Sequence, residues 1–172
     1  MKRRAVHHGR SVTVYVEEAE LPGGRRVELD VVRHPGASAV VPFASPEEVL
    51  LIRQFRHAAG GTIWEVPAGK LDGDSPEVCA AKELEEEVGR RAGRLEKLGS
   101  IWTTPGFTDE VIHLFSAFDL EPCPQRLEDD EVIEVVPVPL RDALGLVWSG
   151  ELRDAKSALA LIHAARRLGA LG

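Results

Sequence analysis

Two near-continuous apolar runs, ASAVVPF at 37–43 and EVLLIRQFR at 48–56, constrain this chain most. A strand with one wet face alternates apolar and polar residues, whereas runs rich in Val, Ile and Leu fit strands covered on both faces. The fold therefore needs a layer above these strands and a layer below. A length of 172 residues suits one compact domain, and an apolar content of 44% is enough for a core.

The remaining segments supply candidates for those layers. SVTVYVEEAEL at 11–21 and RRVELDVVRH at 25–34 alternate like strands around the turn Pro22-Gly23-Gly24, which predicts a hairpin. Two antiparallel strands are marginal alone, so this hairpin needs something to lie on. Gly60-Gly61 breaks the chain before a short strand, TIWEVPAG, and strand-like segments recur at 95–103, 111–118 and 131–139. Helical patterns close the chain at 140–146 and 153–168. A central helix is predicted over 75–88, with Ser75 as N-cap, Pro76 in the first helical position and Glu77 in the first turn. Ala81, Leu84 and Val88 at i, i+3 and i+7 form its core-facing stripe, and Gly89 ends it. A strand-rich body with one central helix and helices at the end reads as α+β with a mixed sheet.

Charge and cysteine usage narrow the function. Lys and Arg number 21 against 28 Asp and Glu, a formal charge of −7. Such a chain is a poor sequence-independent nucleic-acid binder, because that affinity comes from clustered cations on phosphates. An anionic substrate would instead arrive with a metal. Cys79 and Cys123 lack the short Cys or His spacing of a zinc site and read as free thiols. The basic N-terminus MKRRAVHHGRSVTV has no apolar stretch behind it, and nowhere does the chain reach the ~20 apolar residues of a membrane span. The expected setting is cytoplasmic, with neither nucleic acid nor membrane as partner.

The chemistry is concentrated in Lys82-Glu83-Leu84-Glu85-Glu86-Glu87. At about 100° per residue, Glu87 lies roughly 40° from Glu83 and Glu86 roughly 60° the other way, so three carboxylates share a face, expected opposite the apolar stripe. One reading is a solvated acidic face. Like charges at i, i+4 and anions in a helix's last turns each cost a few tenths of a kcal/mol, however, and only Lys82 is near enough to relieve them. A divalent cation reverses that repulsion, and Mg²⁺ favours a few carboxylates plus substrate phosphates. Metal binding is the preferred reading.

The stretch from Gly69 through Lys82-Glu83-Leu84-Glu85-Glu86-Glu87-Val88-Gly89 resembles the Nudix box, G-x5-E-x7-R-E-U-x-E-E-x-G-U with U aliphatic. It departs from that pattern in the loop, where only Lys70–Gly73 separate Gly69 from Asp74, and in Asp74 for Glu, Lys82 for Arg and Arg90 for the last aliphatic residue. The family's Arg is expected to orient the box's acidic residues, a fork that Lys copies only as a point charge. Weaker metal affinity or slower turnover could follow. VRHPGASAVVPF at 32–43, LIRQFR at 51–56, WEVPAGKLD at 64–72, TTPGFTDEVIHLF at 103–115 and SGELRDAKS at 149–157 narrow the likeness to the ADP-ribose pyrophosphatase group, as does Pro105, about sixteen residues beyond the box.

The resemblance implies a Nudix α/β/α sandwich with a mixed sheet over 37–172, preceded by an N-terminal antiparallel β-hairpin region over 1–36 that packs on a second subunit of a homodimer. It implies metal-dependent hydrolysis of ADP-ribose to AMP and ribose 5-phosphate, with Mg²⁺, or Mn²⁺, held by Glu83, Glu87, Glu86 and the carbonyl of Ala68. The base is expected at Glu131, with Glu128 and Asp130 as alternatives and Glu86 as the candidate within the box. Arg56 and Glu65 match positions that relatives use near the substrate, as Pro105 does. Arg53 is either a second phosphate or ribose contact or a surface ion pair. Tyr15 is the candidate to stack on adenine. Competing readings are hydrolysis of another nucleoside diphosphate sugar such as GDP-mannose, hydrolysis of a dinucleotide polyphosphate, or nucleotide binding without turnover.

Overall fold

The computed structural model describes residues 2–9, 12–128 and 131–171. Asp129 and Asp130 lie outside them, so the alternative base Asp130 is not placed. The strands are β1 (Arg3–His8), β2 (Thr13–Glu20), β3 (Arg26–Arg33), β4 (Ala37–Ser45), β5 (Glu48–Arg56), β6 (Gly61–Glu65), β7 (Ala68–Lys70), β8 (Arg90–Trp102), β9 (Val111–Pro122) and β10 (Ile133–Pro139); the helices are α1 (Pro76–Val88), α2 (Leu140–Ser149) and α3 (Ala155–Arg167). Among the described residues no helix is long and apolar enough to cross a membrane.

The central sheet runs β10-β5-β4-β9-β8, with β6 added to β5 and β7 to β4. β4 and β9 are parallel and the other pairs antiparallel, so the sheet is mixed. Its apolar runs are divided residue by residue between two cores. Val40, Leu50 and Ile52 meet Ala80, Leu84 and Val88 of α1, while Ala39, Val41, Val49 and Leu51 meet Ala143, Leu144, Ala160 and Leu161 of α2 and α3. Two-sided burial is the reason those strands carry no polar face. Burying each such Leu, Ile or Val contributes about 1.5–3 kcal/mol.

Several sequence expectations are corrected in detail. The N-terminal hairpin is one part of a three-stranded antiparallel sheet, β1-β2-β3. TIWEVPAG is two strands, because the chain changes partner at Val66-Pro67: β6 pairs with β5, the Pro67 carbonyl accepts from the Val40 amide at 3.0 Å, and β7 then pairs with β4. In α1 the Ser75 hydroxyl accepts from the Val78 amide at 3.3 Å and Gly89 closes the C-terminus, as the caps predict. The buried residues of α1, however, are Cys79, Ala80, Leu84, Glu87 and Val88, with Ala81 only half-buried. Glu87 thus abuts the core instead of opposing it, because three residues beyond Leu84 is only about 60° round the helix.

Candidate active site

A cavity of about 820 Å³ opens between α1, the ends of β8 and β9, the loop after β9 and the N-terminus of α3. Glu83, Glu86 and Lys82 of α1 line one wall, and Arg126, Glu128 and Glu131 come from the loop after β9. Arg56, Ala68 and Gly69 come from β5 and β7, and Asp154 and Lys156 from the start of α3. His34, Ile101, Trp102, Thr103, Thr104 and Glu110 complete the enclosure.

The acidic side is built by close approach of α1 to β7. A Cβ on Gly69 would collide with the Glu83 carboxylate, so only glycine admits that carboxylate against the strand. Glu87, 1% exposed, lies behind the cavity wall and its Oε2 accepts from the Ala68 amide at 2.9 Å. The shortened loop of the box is a tight turn: Asp72 and Gly73 both have positive φ, and the Asp74 amide donates to the Leu71 carbonyl at 2.8 Å. That is the pattern in which Asp-Gly is favoured.

Crowding shows in the protonation of these acids. Burial, then the neighbouring Glu86, pushes the Glu83 carboxyl up to about 7. Burial, then Glu83, pushes Glu87 up to about 8, with Glu131 adding to the repulsion. Relief is slight, since the Lys82 Nζ is 4.0 Å and an Arg126 Nη2 3.9 Å from Glu86. Hard carboxylate oxygens held together against their charge suit a divalent cation. Among the described residues no group of three or more acidic, His or Cys side chains is placed to hold a metal ion by itself. An ion at these carboxylates would need further oxygens, such as those of a substrate phosphate.

Facing the acids is a cationic chain. The Arg56 Nε and Nη2 donate to Glu65 at 2.8 and 3.0 Å, and the Lys156 Nζ donates to Glu65 at 2.6 Å and Asp154 at 3.0 Å. Burial opposes the charge of Glu65, which is 1% exposed, yet the hydrogen bonds and charges of Arg56 and Lys156 outweigh it and hold the carboxyl below the usual range. Asp154 also caps α3, accepting from the Ser157 amide at 3.0 Å. Glu131 folds back on its own loop, its Oε2 accepting from the Glu128 amide at 2.9 Å.

Of the residues singled out in the sequence, Glu83, Glu86, Glu128, Glu131, Arg56 and Ala68 meet at the cavity, with Glu87 and Glu65 directly behind it. Arg53 does not line it: its guanidinium lies over the Trp64 ring and 3.9 Å from Glu134, the surface alternative. Pro105 does not line it either, but follows Thr104 in a turn closed by the Phe107 amide on the Thr104 carbonyl at 3.2 Å. Tyr15 stays in the N-terminal sheet with Arg3 over its ring. Lys156, Asp154 and Arg126 were not singled out. Asp154-x-x-Ser157 is a readable N-cap signal that would have placed the first two at a helix start, whereas Arg126, in irregular chain, carries none.

Residues 32–160 match the NUDIX domain family. The chain is 42% identical to the ADP-ribose pyrophosphatase of Bacillus subtilis (strain 168), over 92% of this chain and 88% of that one. It is 39% identical to the GDP-mannose pyrophosphatase of Cronobacter sakazakii (strain ATCC BAA-894), over 80% of this chain and 81% of the relative. Among solved structures, the fold is similar to a crystal structure of an ADP compounds hydrolase, with a TM-score of 0.87, 24% identity and coverage of 100% of this chain and 94% of the other.

Proposed function

The chain belongs to the Nudix family, and we propose that it is a Mg²⁺-dependent pyrophosphatase that hydrolyses ADP-ribose to AMP and ribose 5-phosphate. The observation that carries this reading is a single cavity lined by Glu83, Glu86, Glu128 and Glu131 together with Arg56 and Lys156. Similarity to the Bacillus ADP-ribose pyrophosphatase over nearly the whole chain supports the choice of substrate.

Glu83, Glu86 and Glu87, with the Ala68 carbonyl, would hold the ion. When bound, it supplies charge neutralisation for the diphosphate and acidifies water for in-line attack on phosphorus. The protein supplies the rest. Glu65 takes two N–H groups of Arg56 and leaves Nη1 for a phosphate oxygen. Lys156 has two acceptors and a third proton to offer. Both cations are therefore positioned before substrate arrives, and positioning is a large share of such catalysis. Glu131 takes the proton that the attacking water loses, its orientation set by the Glu128 amide.

The same reading takes residues 1–36 as a dimerisation region and 37–172 as the hydrolase, in a homodimer. Val6 and Leu29, exposed on the N-terminal sheet, are the surface offered to a partner copy. A cytoplasmic setting agrees with two free thiols, Cys79 and Cys123. The second substrate reading is GDP-mannose, supported by the Cronobacter relative. Incubating the pure protein with ADP-ribose, GDP-mannose and diadenosine polyphosphates in Mg²⁺ or Mn²⁺ and separating the products tests the choice. ADP-ribose should be cleaved fastest; preferential release of GMP from GDP-mannose would reassign the substrate, and binding without products would remove the enzyme.

A further inference from the structure

The loop after β9 is tied to α1 through carbonyls that a helix leaves free at its C-terminus. The Cys123 amide donates to the Gly89 carbonyl at 3.0 Å, the Arg126 amide to the Glu86 carbonyl at 2.9 Å, and the Gln125 Nε2 to the Glu87 carbonyl at 2.6 Å. Gly89 has a φ of 66°, and a Cβ there would stand 2.9 Å from the Cys123 carbonyl, so the close approach requires glycine. Two of the three donors are backbone amides that most residues would supply. Only the bond from Gln125 depends on a side chain. A carbonyl accepts and cannot donate, so the amide nitrogen is the end that Gln125 turns to Glu87. Gln125 is exposed, and core packing therefore does not account for the contact.

The helix end engaged in this way carries Glu83, Glu86 and Glu87, and three residues after Gln125 the loop reaches Glu128, whose amide donates to Glu131 at 2.9 Å. We propose that Gln125 is a positioning residue for hydrolysis: its amide locks the loop bearing Glu131 to the helix bearing the acidic cluster, so that the base and the cluster keep one spacing. The proposal rests on the role given to Glu131 above. Such a tie has work to do, because Glu131 repels both Glu83 and Glu87, and Glu128 repels Glu83. Like charges favour separation, so an acidic loop stays against an acidic helix only if it is held there.

Gln125→Glu keeps the shape but removes the donor and sets a carboxylate against a carbonyl at the negative end of α1, whereas Gln125→Lys keeps a donor with a charge which that end favours. In saturating Mg²⁺, Gln125→Glu should lower kcat for ADP-ribose roughly ten- to a hundredfold. KM and the Mg²⁺ dissociation constant, read by calorimetry with the metal alone, should change little. Gln125→Lys should keep most of the wild-type kcat. Because Gln125 acts through Glu131, the Gln125→Glu, Glu131→Gln double variant should be no slower than Glu131→Gln alone. Wild-type kcat in Gln125→Glu, equal losses in both Gln125 variants, or losses that multiply in the double variant would overturn the proposal. Hydrogen exchange separates its failure from that of the reading beneath it: the Arg126 and Glu128 amides should exchange faster in Gln125→Glu than in wild type or Gln125→Lys. If wild type releases no AMP, or Glu131→Gln is fully active, the reading fails while faster exchange still shows the tie; if Glu131→Gln is inactive and exchange in Gln125→Glu is unchanged, the tie alone fails.

Discussion

Glu131 and Glu128 approach the site from one loop, and only a comparison of them assigns the base. Removing a base depresses the transition state more than the bound ground state, commonly by 10²–10⁴-fold. Glu131→Gln should therefore lower kcat by about 10²-fold or more with KM little changed, while Glu128→Gln should be mild; steady-state kinetics of both variants decides. If Glu128→Gln is the inactive one, the loop register is wrong and the mechanism survives. Lys82 makes a different prediction. Its ammonium is 4.0 Å from Glu86 and half-exposed, so it orients the carboxylate weakly. Lys82→Arg should leave activity equal or improved, because a planar fork can hold the carboxylate at two points. A large loss would mean that Arg126, which also approaches Glu86 at 3.9 Å, already occupies that space.

At the scale of elements, the loop between β8 and β9 depends on the N-terminal sheet. Arg33 of β3 donates to Glu17 of β2 and, through Nη1 at 2.7 Å, to Asp109, while the Val32 amide donates to the Phe107 carbonyl at 2.7 Å. Arg33 holds Glu17 below the usual carboxylate range, chiefly by hydrogen bonding. Arg33→Gln should speed hydrogen exchange of the Phe107 and Thr108 amides and lower kcat/KM several-fold, since it leaves the Glu17 carboxylate, 3% exposed, without its guanidinium partner. Unchanged exchange would show that the turn at Pro105 holds the loop alone. α1 was legible in the sequence because its caps and its period are local signals. β1 was not, since Arg3-Arg4-Ala5-Val6-His7-His8 has no buried face and so shows no apolar period. The carboxylate cluster was legible from helix geometry, whereas its meeting with Lys156 was not, because Glu65 and Lys156 are far apart in sequence and only the sheet and α3 bring them together.

For the whole molecule, the crowded acids make stability depend on pH and metal. The folded state raises Glu83 to about 7 and Glu87 to about 8, above the ordinary 4.5, so protonation favours the folded form. Metal-free protein should be most resistant to heat near pH 5–6 and lose several °C as pH rises through 8. Mg²⁺ should restore the loss at pH 8 and do little at pH 5.5; a metal-free Tm that rises across this window would contradict the crowding. The homodimer is tested by light scattering, where the pure protein should have twice the chain mass and a Val6→Asp, Leu29→Asp double variant should have the chain mass; a wild-type monomer would remove the dimer. The account as a whole rests on the buried carboxylate of Glu87 acting through a metal, and Glu87→Gln removes its charge while keeping an oxygen for the Ala68 amide. The direct measurement is AMP release from ADP-ribose in saturating Mg²⁺ by wild type and by Glu87→Gln of matched thermal stability. The account predicts rapid release by wild type, abolished by chelation, and a loss of 10²-fold or more in the variant; equal rates from the two proteins would contradict it.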